Sequence, residues 1–293
     1  MSADVLVVSL GTTRGLRVAD AAFVDQVRRA GARAEIVSVR IGALDRLRRG
    51  YPANDLIEAA AARRAVRAAL KTEPRAVVFS TVTAAMLAPR LDVPYALRLD
   101  SPASLNRPGL RNAPLHALER RALEGARLVL PWSEAARAAL PEGAARAVVL
   151  PPPVGPSGDT SATREPLAVA YVPDPKAKGL SLLCAAWEKA GADARLDVYG
   201  LDRERAERHL ARFGPPAPAG VEWRGQAPAA EFRAALRRAT AFVHSAVWED
   251  FGQAPLEALA DGAMLVTAPS GGAYEALAAA RELAPELVAA DLD

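Results

Sequence analysis

Two glutamates stand eight positions apart in the segment WEDFGQAPLEALADG, at Glu249 and Glu257, around a Phe-Gly step. A carboxylate has two acceptor oxygens, so it can bind a vicinal diol such as that of a ribose. Glycine at position 252 lets a ligand approach the backbone, and the first turn of a helix offers N–H groups to an anion. These residue types at this spacing favour a phosphate-linked sugar as the ligand.

The local sequence predicts a strand, a loop and a helix around these groups. Apolar residues from Phe251 onward recur at helical spacing, which places Gly252 and Gln253 at the start of a helix and Glu257 more than a turn further on. The run AFVHSA predicts a strand just ahead, so Glu249 falls in the loop between them. Either glutamate alone would be ordinary, since Glu favours early helical turns. The combination with Gly252 and the following APSGGAYE indicates a site.

From about Leu167 to Asp293 the chain resembles the nucleotide-sugar half of a retaining, family 4 type glycosyltransferase with the GT-B fold. Four landmarks carry this resemblance in the family's order: LAVAYVPDPKAKGLSLLCAAWEKA with its Lys-Gly pair, VEWRGQAPAAEFRAALRRATAFVHSAVWED, the Glu-x7-Glu pair, and the loop from Thr267 to Glu275. They span roughly a hundred residues, and they indicate the fold and the donor class more than the identity of the sugar.

The resemblance also implies a role for individual residues. Glu249 would contact the transferred sugar, Glu257 the ribose hydroxyls, and Lys178 the diphosphate. Further donor-binding residues are implied at Phe251, Gly252, Gln253, Gly225, Gln226, Lys176 and Gly11. Where the family usually has Gly-Arg after its opening strand, this chain has Pro173 and Asp174. We therefore expect either that Lys176 supplies the second cation or that Asp174 turns away from the diphosphate.

The first half resembles the family more weakly. Its first strand leads into SLGTTRGLR, where Gly11, with Arg14 or Arg17 nearby, could approach a phosphate. The segment RLDSPASLNRPG follows another strand and is expected to form part of the acceptor floor. Relatives often present a His there, and this chain offers Asp100. Asp100 could orient or deprotonate the acceptor hydroxyl, or it could serve as a helix cap or turn former.

Strand-like and helical runs alternate along the whole chain. This pattern predicts an α/β protein with two Rossmann-like, doubly wound parallel sheets facing a cleft. The Pro- and Ser-rich stretch before residue 167 predicts a linker at 154–166, between an acceptor-binding domain at 1–153 and a nucleotide-sugar-binding domain at 167–293. AVVLPPP and ELVAA are predicted as strands. The resemblance also implies further C-terminal helices beyond Asp293.

Charge and composition limit the partners. Residues 1–155 hold 23 Lys and Arg against 14 Asp and Glu, whereas the remainder holds 14 against 20. The basic half could dock on an anionic membrane surface, or its arginines could be solvent-exposed residues without a binding role. Few aromatic residues are present for base stacking, so no nucleic-acid partner is expected. The longest nearly apolar window, Ala76 to Pro89, is too short to span a bilayer, and no signal pattern opens the chain, so we expect a cytoplasmic, optionally membrane-peripheral protein.

No metal site is predicted, because the three histidines and Cys184 lack metal-ligand spacing. His244 ends a predicted buried strand and is expected to be a satisfied core residue. Together these observations predict a retaining, metal-independent glycosyltransferase that uses a UDP- or GDP-linked sugar and no further cofactor, with a glycan, lipid-linked or small-molecule acceptor. A nucleotide-sugar epimerase and a nucleotide-sugar-binding protein without turnover remain the alternatives.

Overall fold

The computed structural model describes residues 3–48, 50–160, 163–191 and 193–292. The chain forms two compact units, Met1–Pro153 and Val154–Asp293. Each unit is built on one five-stranded sheet whose strands all run parallel. Parallel strands need crossover connections, and the helices that make those connections cover both faces of each sheet.

Unit 1 has the sheet order β2-β1-β3-β4-β5. Its strands are β1 (Val5–Ser9), β2 (Ala34–Ser38), β3 (Ala76–Phe79), β4 (Tyr95–Leu99) and β5 (Leu128–Pro131). Its helices are α1 (Arg14–Arg29), α2 (Ala53–Ala69), α3 (Val82–Ala85), α4 (Ala103–Asn106), α5 (Ala113–Gly125) and α6 (Glu134–Ala138), with 3-10 turns at Gly42–Leu47, Leu70–Thr72 and Leu110–Asn112. The central strands are covered on both faces, so Val7, Phe79 and Leu97 are fully buried.

Unit 2 has the sheet order β10-β9-β6-β7-β8. Its strands are β6 (Glu165–Tyr171), β7 (Arg195–Tyr199), β8 (Val221–Gly225), β9 (Ala239–His244) and β10 (Met264–Thr267). Its helices are α7 (Leu180–Ala190), α8 (Arg203–Phe213), α9 (Ala229–Arg238), α10 (Gln253–Ala260) and α11 (Ala276–Leu283), with a 3-10 turn at Pro285–Leu287. The chain winds outward in one direction from β6 to β8 and in the other from β9 to β10. The strand order therefore switches between β6 and β9, where ligands bind in open sheets of this kind.

Two predicted strands are reduced to single bridges. In AVVLPPP only Ala147 bridges to β5, through Val129, because three prolines follow and have no N–H for a ladder. In ELVAA only Val288 bridges, to Thr267 at the end of β10, because Pro285–Leu287 takes up the preceding residues as a 3-10 turn. The prediction that these two segments are strands was therefore wrong. Among the described residues, no helix has the length and hydropathy that a membrane crossing requires.

The predicted linker is folded onto unit 2 where the structure describes it, and β6 begins at Glu165 rather than at residue 167. Arg164 donates to the carbonyls of Arg237, at 2.7 Å, and of Asp261, at 3.0 Å. Ser157 donates to the carboxylate of Asp261 through its N–H and its hydroxyl, at 2.7 and 3.0 Å. Composition alone predicted a linker here because polar and Pro-rich sequence does not show these long-range contacts.

Candidate functional site

The site lies in unit 2 at the carboxyl ends of β6 and β9. The loop after β6 carries Lys178, and the loop after β9 carries Glu249. The Nζ atom of Lys178 lies 2.6 Å from Oε2 of Glu249, and the two side chains are 22% and 13% exposed. The chain thus brings a cation and a carboxylate together from 71 residues apart, at the switch point of the sheet.

Hydrogen bonds fasten the two loops to each other. The hydroxyl of Ser245 donates to the carbonyls of Lys178, at 3.0 Å, and Gly179, at 3.2 Å. The N–H of Val247 donates to the carbonyl of Ala177 at 3.1 Å. Gly179 begins α7 with φ +62°, and a Cβ atom there would lie 2.0 Å from the carbonyl oxygen of Ser245. Only glycine allows this approach, so Gly179 sets the position of Lys178 against Glu249.

Asp174 turns toward its own loop, which was one of the two expected outcomes. Its Oδ1 accepts the N–H groups of Lys176, at 2.9 Å, and Ala177, at 3.0 Å. The carboxylate therefore caps the turn that leads to Lys178. The Lys176 side chain is exposed on the same loop. The loop that replaces Gly-Arg is thus an organised turn.

Helix α10 begins beside this ion pair. Gly252 is its N-cap, with φ +87° and no side-chain cap. A Cβ atom at Gly252 would lie 2.9 Å from the ring of Tyr274 and 3.6 Å from Cγ of Glu249. Phe251 is buried. The glycine therefore leaves the start of the helix uncovered by its own side chain, next to Glu249, where helix N–H groups attract an anion.

Glu257 and Gln253 face each other one turn apart on α10. Helical side chains lean toward the N-terminus, so the carboxylate of Glu257 points back to the start of the helix. The amide Nε2 of Gln253 donates to Oε1 of Glu257 at 3.2 Å, and Glu257 is 3% exposed. Among the described residues, Oε1 of Gln253 is buried without a hydrogen-bond partner.

A small-residue loop after β10 supports Glu249 from behind. The N–H of Glu249 donates to the carbonyl of Gly271 at 2.9 Å, and the N–H of Gly271 donates to Val247 at 3.0 Å. A Cβ atom at Gly272 would lie 2.3 Å from the carbonyl oxygen of Glu249. The glycines predicted from Thr267 to Glu275 are therefore needed for close backbone contact with the site loop.

His244 was predicted as a satisfied core residue, and it is buried but not satisfied. It ends β9 with a side chain that is 5% exposed, and its Nε2 lies 3.5 Å from Oε2 of Glu249. Within the described part of the chain, Nε2 has no hydrogen-bond partner. Burial, and next the charge of Lys178, lower the pKa of His244 to about 3, so the imidazole is neutral. Its place at the end of the strand was the signal that sequence reasoning undervalued.

Gly225 and Gln226 lie at the same edge of the sheet, two strands away from β6. The amide of Gln226 donates to the carbonyl of Gly200, which follows β7, at 2.7 Å. This contact joins the loops after β7 and β8. In the described part of the chain, the hydrogen bonds of Gly225 and Gln226 run to Gly200 and Leu201. Their donor-binding role therefore stays a prediction.

Gly11 and Asp100 belong to unit 1, at the carboxyl ends of β1 and β4. The carbonyl of Gly11 accepts from Nη1 of Arg17 at 2.8 Å, and Gly11 has φ +57°. Oδ1 of Asp100 accepts the N–H of Ser101 at 2.9 Å. This contact is of the turn-forming kind that was the alternative to an acid-base role.

Unit 1 also contains a buried ion pair that the sequence analysis missed. Arg98 donates to Asp20 at 3.0 Å, and each side chain is 1% exposed. The hydroxyl of Ser9 donates to the same carboxylate, and the guanidinium of Arg98 lies 4.4 Å from the ring centroid of Phe23. Burial raises the pKa of Asp20 despite these partners. An Arg inside the otherwise apolar YALRL strand was the signal available.

A second charged group in unit 1 lies in the segment expected to form the acceptor floor. Arg107 pairs with Asp55 and stacks 4.6 Å from the ring centroid of Tyr51. Glu119 accepts the N–H of Ala103 with both carboxylate oxygens, at 2.9 and 3.1 Å. Burial raises the pKa of both Asp55 and Glu119. This segment is therefore held by the Arg107–Asp55 ion pair and by the hydrogen bonds of Ala103 to Glu119. In the described ranges, no three His, Cys, Asp or Glu side chains are grouped to hold a metal ion.

Comparison with known proteins adds a family match over unit 2. Residues 165–291 match the sequence model of the family described as Glycosyl transferases group 1. No curated protein matches the sequence at a significant level. The match covers the landmarks from the opening strand of unit 2 to the loop after β10.

Solved structures are similar over nearly the whole chain. Sucrose-phosphate synthase from Thermosynechococcus elongatus has 15% identity and a TM-score of 0.67, over 91% of this chain and 81% of that one. Trehalose 6-phosphate synthase from Burkholderia multivorans has 13% identity and a TM-score of 0.65, over 99% and 87%. An E. coli structure, described as trehalose-6-phosphate bound with UDP-2-fluoro glucose, has 13% identity and a TM-score of 0.62, over 98% and 88%. These similarities confirm the predicted GT-B fold.

Proposed function

We propose, from the match of residues 165–291 to the group 1 glycosyltransferase family and from the GT-B fold of the chain, that this protein is a retaining, metal-independent glycosyltransferase. It moves a sugar from a nucleoside-diphosphate donor to an acceptor hydroxyl in glycan or glycolipid biosynthesis. The observation that carries the proposal is the Lys178–Glu249 pair, 2.6 Å apart at the sheet's switch point and beside the start of α10.

The chemistry follows from where charge develops. The bond between the anomeric carbon and the phosphate oxygen breaks, the acceptor oxygen bonds to that carbon on the same face, and the acceptor proton passes to the leaving phosphate. Negative charge grows on the diphosphate, and groups held ready for that charge lower the barrier. Lys178 and the N-terminus of α10 are placed for this role, and they can balance the charge without a metal ion.

The two carboxylates divide the donor between them in this proposal. Glu249, partly exposed beside Gly252, contacts the transferred sugar. Glu257 points back to the start of α10 and accepts from the ribose hydroxyls, with Gln253 beside it. A UDP-linked donor is the first choice, since one similar structure holds UDP-2-fluoro glucose, and GDP is the second.

Unit 1 takes the acceptor in this proposal. Asp100 follows β4 and accepts the N–H of Ser101 with Oδ1. We assign it the role of orienting the acceptor hydroxyl. The leaving phosphate supplies the base. The excess of arginine in residues 1–155 would attract an acceptor linked to phosphate or carried on an anionic membrane.

A donor panel tests the proposal. The chain is incubated with UDP-, GDP- and ADP-sugars in the presence of a metal chelator, and free nucleotide and sugar are measured. Slow donor hydrolysis with retained anomeric configuration supports the transferase. Isomerised donor would support an epimerase, and binding without turnover a nucleotide-sugar-binding protein. A complete dependence on added divalent metal would contradict the metal-independent mechanism.

A further inference from the structure

His244 lies directly behind the Lys178–Glu249 pair with one ring nitrogen unused. Its Nε2 is 3.5 Å from Oε2 of Glu249 and, among the described residues, makes no hydrogen bond. A buried polar atom left without a partner destabilises the folded protein. A buried polar group of this kind needs an explanation, and a catalytic role is one of the known ones.

The imidazole is held in place by two rings. The ring centroid of Tyr274 lies 4.9 Å away and that of Phe242 lies 6.4 Å away. Tyr274 is itself fixed by a 2.8 Å hydrogen bond between its hydroxyl and Thr267. Any closer contact between His244 and Glu249 must therefore come from movement of the Glu249 side chain, which is partly exposed.

A bound diphosphate would compete with Glu249 for the ammonium of Lys178. The Lys178 ammonium and the Glu249 carboxylate lie 2.6 Å apart in the structure. A diphosphate carries more charge than one carboxylate, so it draws the ammonium toward itself. Glu249, whose side chain is 13% exposed, would then lack its present hydrogen-bond donor, and a buried polar group without a partner is unfavourable.

We propose that His244 is a positioning residue. It donates a hydrogen bond to Glu249 in place of Lys178 when Lys178 turns to the donor diphosphate. The neutral imidazole donates Nε2–H to Oε2 of Glu249, and the other carboxylate oxygen points to a hydroxyl of the transferred sugar. A neutral donor suits this role because it orients the carboxylate without cancelling its charge. This inference rests on the proposed function.

Two variants at position 244 separate hydrogen bonding from packing. His244→Phe keeps an aromatic ring but has no N–H, whereas His244→Gln places an amide N–H near the position of Nε2. With the donor that the wild type hydrolyses fastest, we expect His244→Phe to lower kcat about tenfold or more with UDP affinity changed less than about twofold. We expect His244→Gln to recover most of the lost turnover. Loss in His244→Gln equal to that in His244→Phe would overturn the proposal.

The same variants in a Glu249→Gln background test whether His244 acts through Glu249. We expect His244→Phe to cause no further loss of turnover there, because the carboxylate it positions is gone. If the double variant lost turnover by the product of the two single-variant factors, the two residues would act independently and the proposal would be contradicted. Circular dichroism and unfolding curves for each variant show that the comparison is between folded proteins.

Nitrogen-15 labelling of histidine gives a readout on the unaltered protein. We expect UDP to shift the Nε2–H proton of His244 downfield, as a new hydrogen bond to a carboxylate forms, with His116 and His209 as internal references. An unchanged His244 signal at saturating UDP would overturn the proposal. Failure of the proposed function would be recognised by a different result, because the wild type would then neither bind UDP nor hydrolyse any donor.

Discussion

Lys178 is the residue on which the proposed chemistry depends most directly. We expect Lys178→Ala to lower turnover by about a hundredfold or more, because the leaving diphosphate loses a charge held ready for it. Lys189→Ala is the matched control, since Lys189 is exposed in the last turn of the same α7 helix. Steady-state donor hydrolysis measures both. Equal turnover in the two variants would rule out the assigned role.

Glu257 acts on binding rather than on the chemical step in this scheme. We expect Glu257→Ala to weaken UDP binding by roughly tenfold or more, because the ribose loses a carboxylate acceptor. Titration calorimetry measures the change, and Glu282→Ala, an exposed glutamate on α11, is the control. Full UDP affinity in Glu257→Ala would show that the ribose binds elsewhere.

Individual site residues could be predicted to different extents. Glu249, Gly252 and Glu257 could be proposed as site residues from the sequence because one short segment contains the motif and its helical spacing. The unused nitrogen of His244 and the Ser245 hydroxyl bonds could not be found in this way. They depend on which strands pair in the sheet, and the local amino-acid sequence does not determine that pairing.

At the level of elements, α7 is joined to the site loop through one crowded glycine. We expect Gly179→Ala to destabilise the chain by about 1–3 kcal/mol more than Gly191→Ala. Both glycines flank α7 with positive φ, but a Cβ atom at Gly191 meets nothing within 4 Å, whereas one at Gly179 would collide with Ser245. Gly191→Ala therefore reports the cost of the backbone conformation alone.

Urea unfolding curves of the two variants test this prediction, and UDP affinity adds a second readout. The displaced loop in Gly179→Ala carries Lys178, so UDP affinity should fall as well, whereas Gly191→Ala should keep it. Similar stability and affinity in the two variants would show that the α7 loop adapts without cost.

Most elements could be predicted from sequence because their apolar periods are clear. The exceptions were AVVLPPP and ELVAA, whose apolar letters match a strand but whose prolines and turn residues prevent a ladder. The pairing of β6 with β9, which creates the site, follows from the fold rather than from either strand's own sequence.

For the whole molecule, His244 makes stability depend on pH. An unfolded imidazole binds a proton near pH 6.5, but burial and the nearby Lys178 hold the pKa of His244 at about 3 in the folded chain. Between these values the unfolded state holds more protons, so the free energy of unfolding falls as the pH drops. Glu249 and Tyr274 also face the ring, and neither changes this sign.

We expect the free energy of unfolding to fall by about 2 kcal/mol between pH 7 and pH 5 through this one group. His244→Gln removes the titrating ring, so its free energy of unfolding should fall by about 2 kcal/mol less than that of the wild type over this pH range. Urea unfolding of both proteins at the two pH values measures the difference, and other groups cancel in the comparison. An identical decrease in both would mean that the folded chain protonates His244 normally.

An independently folding fragment of the second half must keep the contacts that Gly155, Ser157 and Arg164 make with unit 2. Asp261 is fully enclosed and receives two hydrogen bonds from Ser157, while Arg233 binds the carbonyl of Gly155 at 2.7 Å. A fragment of residues 167–293 would strip this carboxylate of both Ser157 donors and open its surroundings to water. A fragment that starts at Val154 keeps them, so autonomous folding should begin at the earlier boundary, ahead of the first strand.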